Sequence, residues 1–123
     1  MQSTQNKNRL FFVVPGHPIP AVRMTQMTKW TDPRAQRYLG YKLLIKEIAG
    51  LKAKGMFFEH ARVNIKVFYK GRGGDVDNYI KSVLDGCNEV IWKDDIGVLF
   101  ASCEKCKVAE EALERVEVEV IEV

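Results

Sequence analysis

Long apolar runs are missing from this sequence. The first apolar stretch, residues 10–14, stops at Pro15-Gly16, far short of the ~20 residues a membrane helix needs and shorter than a signal-peptide core. The expectation is a cytoplasmic protein with no membrane association. Cysteine is scarce: only Cys87, Cys103 and Cys106 occur, and in a reducing compartment they are not expected to form structural disulfides. Histidine is limited to His17 and His60. Cys103 and Cys106 make a lone C-x-x-C, but structural zinc needs four ligands, and Cys87, His17 and His60 stand at no zinc-finger spacing. No Gly-Lys-Ser/Thr follows the glycines of residues 71–74, which excludes a phosphate loop of the Walker type. No repeat, low-complexity tract or linker interrupts the chain. At 123 residues a single domain over 1–123 is expected, because a core this small does not divide comfortably.

What is present fits a packed globular domain: 46% of the residues are hydrophobic and 28% charged. The polar stretch 1–9 reads as a disordered tail. The formal net charge of +3 conceals an asymmetry. Residues 1–54 hold ten Lys or Arg against Asp32 and Glu47, whereas the remainder holds nine basic against fourteen acidic residues. Such a division suits a surface that meets a polyanion beside a region that concentrates carboxylates, although a solvated basic helix face would produce the same count.

Residues 10–14 read as a buried strand closed by Pro-Gly, and residues 15–31, with three prolines and no clean period, as a loop. Met24, Met27 and Trp30 could contact a nucleic acid, yet packing under the loop is the commoner use of such residues, and His17 is either such a contact or, more simply, an exposed loop residue. Asp32-Pro33 is a helix start, with Asp as cap and Pro in the first turn. Tyr38, Tyr41, Leu44, Ile45 and Ile48 then recur at helical spacing, giving a basic amphipathic helix that ends near Gly50 or Gly55. Residues 61–70 alternate, with Val63, Ile65, Val67 and Tyr69 on one side. From Val76 a second helical period runs through Tyr79/Ile80, Val83/Leu84, Cys87 and Val90/Ile91, capped by Asp77 or Asn78, and it frays before Trp92. Residues 96–108 read as a strand, 109–114 as an acidic connection, and 115–121 as a strict period-2 strand expected to form a C-terminal hairpin with its predecessor. The order is β-α-β-α-β-β, an α/β (α+β) fold with helices packed on a mixed sheet.

The chemistry concentrates in Gly73-Gly-Asp75-Val-Asp77-Asn78-Tyr-Ile-Lys81 and the later Trp92-Lys-Asp94-Asp95. Residues two apart in an extended segment share a side, so Asp75 and Asp77 can aim both carboxylates at one point. Adjacent carboxylates repel unless a cation sits between them, and hard oxygen donors suit Mg²⁺ or Mn²⁺. An isolated Asp-x-Asp-Asn would more simply be a turn and helix cap, but that leaves the second acidic pair and Lys81 unexplained. Lys81 lies one helical turn after Asp77 and one before Asp85. It is therefore either a weak structural ion pair or a fixed positive charge beside a phosphate. If the strand after Asp95 neighbours the one ending near Lys70, an Asp of that segment could return to the first pair.

The spacing Asp75-x-Asp77-Asn78-x-x-Lys81, an Asp one turn later, then aromatic-x-Asp-Asp, resembles the signature of the RusA family of Holliday junction resolvases, typically of phages and prophages. Val14-Pro-Gly-His-Pro-Ile-Pro20 with Arg23, then Thr31-Asp-Pro and a helix, is similar to the opening of many members. The resemblance implies a Mg²⁺-dependent endodeoxyribonuclease, with Mn²⁺ as the alternative ion. It implies a homodimer with an acidic cluster in each subunit, cutting four-way DNA by paired nicks in recombination and repair. It places the essential acids on Asp75, Asp77 and Asp95 as metal ligands, with Asp94 as the alternative to Asp95, and the essential lysine on Lys81. Many relatives are more basic where this chain has Ala21-Val-Arg-Met-Thr25, and Cys103-x-x-Cys106 is outside the pattern.

The implied mechanism is metal-assisted phosphodiester hydrolysis. Arg23, Lys29, Arg34, Arg37, Lys42, Lys70 and Arg72 are the candidate phosphate contacts. Two other readings remain open at this point: a catalytically idle nucleic-acid-binding protein of the same fold, and a nuclease of the same chemistry acting on flaps or forks.

Overall fold

The computed structural model describes residues 8–25 and 28–123, and for Thr28 and Lys29 the backbone alone. Four strands form one mixed sheet: β1 (Arg9–Pro15), β2 (Ala61–Tyr69), β3 (Val98–Lys107) and β4 (Arg115–Glu122). A four-residue α1 (Thr28–Thr31) precedes the two long helices, α2 (Pro33–Ala53) and α3 (Val76–Cys87). The expected tail falls outside the described residues over 1–7, while Arg9 already pairs with Ile121 in the sheet.

Local chemistry explains the helix starts. Asp32 sits in extended backbone and its Oδ1 accepts the Arg34 N–H at 2.8 Å, with Pro33 in the first turn. Helix α2 ends where Lys54 turns left-handed at φ 51° and donates to Gly50 O, followed by Gly55 at φ 85°. Its buried face, Tyr38, Tyr41, Ile45, Ala49 and Ala53, follows the helical period. At α3 the cap position belongs to Asp75, not to Asp77 or Asn78, and the Asp75 side chain makes no capping bond. Helix α3 stops at Cys87; a turn with Glu89 at φ 72° and a bridge between Asn88 and Trp92 carry the chain onward, so Ile91 is buried outside the helix.

The strand order is β1-β4-β2-β3, with β4 antiparallel to both β1 and β2, and β3 parallel to β2. This corrects the expected C-terminal hairpin: β3 and β4 are not neighbours. Strand β4 takes an interior place because its backbone bonds to β1 on one side and β2 on the other, with Val116, Val118 and Val120 buried, whereas among the described residues β3 pairs with β2 alone. The residues between β3 and β4, 108–114, form a connection longer than the tight two- to five-residue hairpin loops and can cross over the end of β2. Val63, Ile65 and Val67 of β2 meet Ile45, Val83, Cys87 and Trp92 in one core beneath the helices. Among the described residues no helix covers the opposite face of the sheet. There Arg62 lies over the Phe100 ring and Arg115 over Phe68, with Arg9 paired to Glu119.

Candidate active site

Strands β1 and β2 both end at the same edge of the sheet, and the loops that leave them converge there. Glu114, almost fully buried, ties them together: its Oε2 accepts the Lys70 N–H at 2.9 Å and contacts His17 Nδ1, while its backbone oxygen accepts Gly16 N–H. The Lys70 N–H, then His17, hold the Glu114 carboxyl below the usual glutamate range. His17 is the exposed loop residue expected, and it is also the partner of this latch. Neither His17 nor Glu114 carries a spacing signal that sequence reasoning can use.

The next residues build the platform for Asp75. The buried Tyr79 hydroxyl accepts the Gly74 N–H at 2.8 Å, and Ala21 N–H donates to Asn78 O at 2.9 Å. A Cβ on Gly74 would stand 2.8 Å from Pro20 Cγ, and one on Gly73 would stand 2.9 Å from the Tyr69 ring. Glycine at these positions is therefore a packing requirement, allowing the loop to press against Pro20 and Tyr69. Asp75 and Asp77 emerge from this platform at the N-terminal end of α3, both exposed. Among the described residues neither carboxylate has a side-chain hydrogen bond or ion pair, and the helix N-terminus favours negative charge there.

Lys81 follows one turn later on the exposed surface. Its Nζ is 3.4 Å from Asp85 Oδ2, which also accepts the Tyr38 hydroxyl at 2.7 Å. Burial first, and this bond second, raise the Tyr38 pKa and keep it a neutral donor. Of its two acidic neighbours in sequence, Lys81 therefore pairs with Asp85 in the isolated chain.

Asp95 lies elsewhere. Because β3 runs parallel to β2, Val98 pairs with Ala61 at the start of β2 and Lys107 pairs with Tyr69 at its end. The turn Asp95–Gly97 just before β3 therefore sits at the opposite edge of the sheet from Asp75, where a Gly97 Cβ would collide with Glu59 O at 2.5 Å. Nine residues of strand, about 30 Å, separate the two edges. Among the described residues no three His, Cys, Asp or Glu lie together as a metal-binding group. The two acids of this segment differ in occupation. Asp94 Oδ1 caps the turn by accepting Ile96 N–H at 2.9 Å, whereas Asp95 has no such bond and is exposed.

The candidate phosphate contacts divide by position. Arg23, Arg34, Arg37, Lys70 and Arg72 lie at the Asp75 end, all exposed, on the loops leaving β1 and β2 and on the first turns of α2. Arg34 is partly engaged, reaching Asp32 Oδ2 at 3.1 Å. Lys42 lies lower on α2, with Nζ 5.2 Å from the Tyr38 ring centre, and lines a cleft of about 850 Å³ with Trp30, Leu43, Lys46 and Lys93. Trp30 is 71% exposed there, not packed beneath a loop. The Lys29 side chain and Met27 lie outside the described residues. Cys103 and Cys106 register with Ile65 and Phe68 on opposite faces of the sheet. Their thiols cannot share a metal or a disulfide within one strand.

Comparison with known proteins gives one finding beyond this geometry. No curated protein matches the chain. The sequence model for endodeoxyribonuclease RusA matches residues 15–121, a span that includes the glycine platform, all the candidate acids and Lys81, and the chain belongs to the RusA endodeoxyribonuclease family.

Proposed function

We propose that this protein is a divalent-metal-dependent endodeoxyribonuclease that cuts four-way DNA junctions as a homodimer, with each metal site completed across the two subunits. The observation that carries this reading is the division of the candidate acids: Asp75 and Asp77 project unpartnered at one end of α3 and Asp95 at the far edge of the sheet. A two-fold dimer that sets α3 against its partner copy in the opposite direction would bring Asp75 and Asp77 of one chain to Asp95 of the other, twice, by symmetry. A cluster wholly within each subunit would require these acids to cross about 30 Å of strand.

The donor chemistry fits a hard cation. Among the described residues these three carboxylates are free of competing side-chain bonds, and together they would hold Mg²⁺ or Mn²⁺ with coordination positions left for water and phosphate oxygens. Such an ion supplies Lewis-acid polarisation of a phosphate and a more acidic bound water. The chain's own groups do the remaining work. Lys81, one turn beyond Asp77, offsets negative charge as it builds on the transferring phosphoryl group. Arg23, Arg34, Arg37, Lys70 and Arg72 line the same end and fix the DNA backbone by charge, with Lys42 extending the basic surface along α2. An idle DNA binder gains nothing from unpaired carboxylates held beside phosphate. The test is cleavage of a synthetic four-way junction beside flap, fork and duplex controls, with Mg²⁺ and with chelator. Paired nicks in the junction that need Mg²⁺ support the reading. Binding without cutting at any divalent-ion concentration overturns it, and preferential cutting of flaps or forks reassigns the substrate.

A further inference from the structure

Glu114 is the only charged side chain buried among the described residues, and the metal site leaves it without a task. Its side chain is 6% exposed, whereas the His17 side chain bonded to it is 58% exposed. The carboxylate therefore stands behind the ring, and the ring faces solvent. The Lys70 N–H first, then His17, hold the Glu114 carboxyl below the usual glutamate range, so near neutral pH it is ionised and can only accept. Nδ1 is the donor in this contact, which turns Nε2 outward, and among the described residues Nε2 has no partner.

The outward side of His17 borders a pocket of about 250 Å³ shared with Pro18, Pro20, Arg34 and Arg37. That is smaller than the clefts that enclose organic ligands, and two guanidinium groups line it. The first turn of α2 carries no acid, and Asp32 just before it is already engaged by Arg34 at 3.1 Å. Arg37 is exposed and has no ion pair among the described residues. The pocket is also fixed relative to Asp75. Gly16 N–H donates to Glu114 O at 3.2 Å, Pro20 lies against Gly74, and Ala21 N–H donates to Asn78 O at 2.9 Å in the first turn of α3. Between these ties Pro18 and Pro20 each lock their own φ, so the strap that carries His17 has little freedom to move away.

We propose that His17, Arg34 and Arg37 form a subsite for one backbone phosphate of the bound DNA, with Glu114 as the residue that positions the imidazole. This rests on the DNA-cutting reading above and adds to it a contact that a count of Lys and Arg does not include. A phosphate oxygen meets Nε2 on the outer side of the ring while Glu114 Oε2 holds Nδ1 on the inner side. Both nitrogens then donate, so the ring is an imidazolium lying between two anions. A neutral ring that kept its hydrogen on Nδ1 would turn a lone pair towards the phosphate, so the contact requires the charged form. Arg37 offers its planar fork to the remaining oxygens. A glutamine at position 114 could still accept the Lys70 N–H, but the ring would lose its counter-charge.

Fluorescence anisotropy with a labelled four-way junction tests this, in chelator so that no strand is cut and at several salt concentrations. At about 0.1 M salt His17→Gln should bind about tenfold more weakly, and its salt slope should be shallower by about one, the mark of one lost phosphate contact. His17→Lys keeps a positive charge and should restore most of both. Glu114→Gln should weaken the wild-type chain but add little to His17→Gln, because its contribution passes through the ring. Thermal melts verify that each variant is folded, and the two His17 variants decide the subsite even where Glu114→Gln is not. Single-turnover cutting at saturating enzyme should recover most of the rate in His17→Gln, which separates the grip on phosphate from the chemical step. Wild-type affinity and slope in His17→Gln overturn the subsite and leave the nuclease reading standing. Equal weakening by Glu114→Gln in both backgrounds overturns its positioning role and assigns the effect to the Lys70 loop. A junction bound with all the expected losses but never cut overturns the nuclease reading alone.

Discussion

In Lys81→Ala the ammonium 3.4 Å from Asp85 Oδ2 disappears, and the two roles open to it differ in size by more than measurement error. Lys81 is 61% exposed and its partner keeps the Tyr38 hydroxyl, so no buried charge is orphaned. An exposed i,i+4 pair contributes about 0.3–0.5 kcal/mol, and alanine recovers some of that through helix propensity. The melting temperature should therefore fall by no more than about 2 °C. Loss of a charge that stabilises the phosphoryl transition state should instead slow cleavage about a hundredfold or more, as removal of an oxyanion donor does. Lys81→Arg keeps the charge but spreads it over a planar fork, and should restore only part of the rate. Single-turnover cleavage of a four-way junction at saturating enzyme isolates this step from binding. A wild-type rate in Lys81→Ala would refute the catalytic role and leave Lys81 as the surface pair it forms with Asp85.

Asp75→Asn, Asp77→Asn and Asp95→Asn should each abolish cutting while folding and junction binding persist, with tighter binding in metal-free buffer as repulsion from phosphate falls; gel shift and cleavage on one preparation check both, and full activity removes that residue from the site. Gly86→Ala places a Cβ 2.6 Å from Ile45 Cγ2, so overpacking outweighs the helix-propensity gain and should cost about 1–2 kcal/mol in a denaturant titration. Glu114 has a depressed pKa in the fold, so its latch contributes fully above the ordinary glutamate range and is lost as pH falls through the lower, folded value. Glu114→Gln should flatten that part of the acid-stability profile, measured by thermal melts from neutral pH downward.

Much of this fold is legible in the sequence because one face of each element is apolar at the right period. Val63, Ile65 and Val67 define β2, and Asp32-Pro33 marks the start of α2 to the residue. Sheet order is not local information. Nothing in residues 98–107 says that β3 will lie parallel to β2, and the buried Val116, Val118 and Val120 do not by themselves set β4 between β1 and β2, since the edge strand β1 buries Leu10, Phe12 and Val14 in the same alternation. The site follows the same rule. Asp75, Asp77 and Lys81 share one segment and can be read together, whereas the place of Asp95 depends on the direction of β3. The latch of Glu114 to Lys70 and His17, and the Tyr79 hydroxyl beneath Gly74, join residues that no motif links.

The central claim is that each site draws Asp75 and Asp77 from one subunit and Asp95 from the other. Mixing two inactive chains, Asp75→Asn/Asp77→Asn and Asp95→Asn, tests it most directly. After subunit exchange, a heterodimer would combine the intact Asp75 and Asp77 of one chain with the intact Asp95 of the other in one of its two sites. At equal concentrations about a quarter of all sites should be whole, with activity appearing as single nicks in the junction. If each subunit carried its own complete cluster, no mixture could assemble a working site. A mixture as inactive as its parents, after exchange has been verified, would contradict the account.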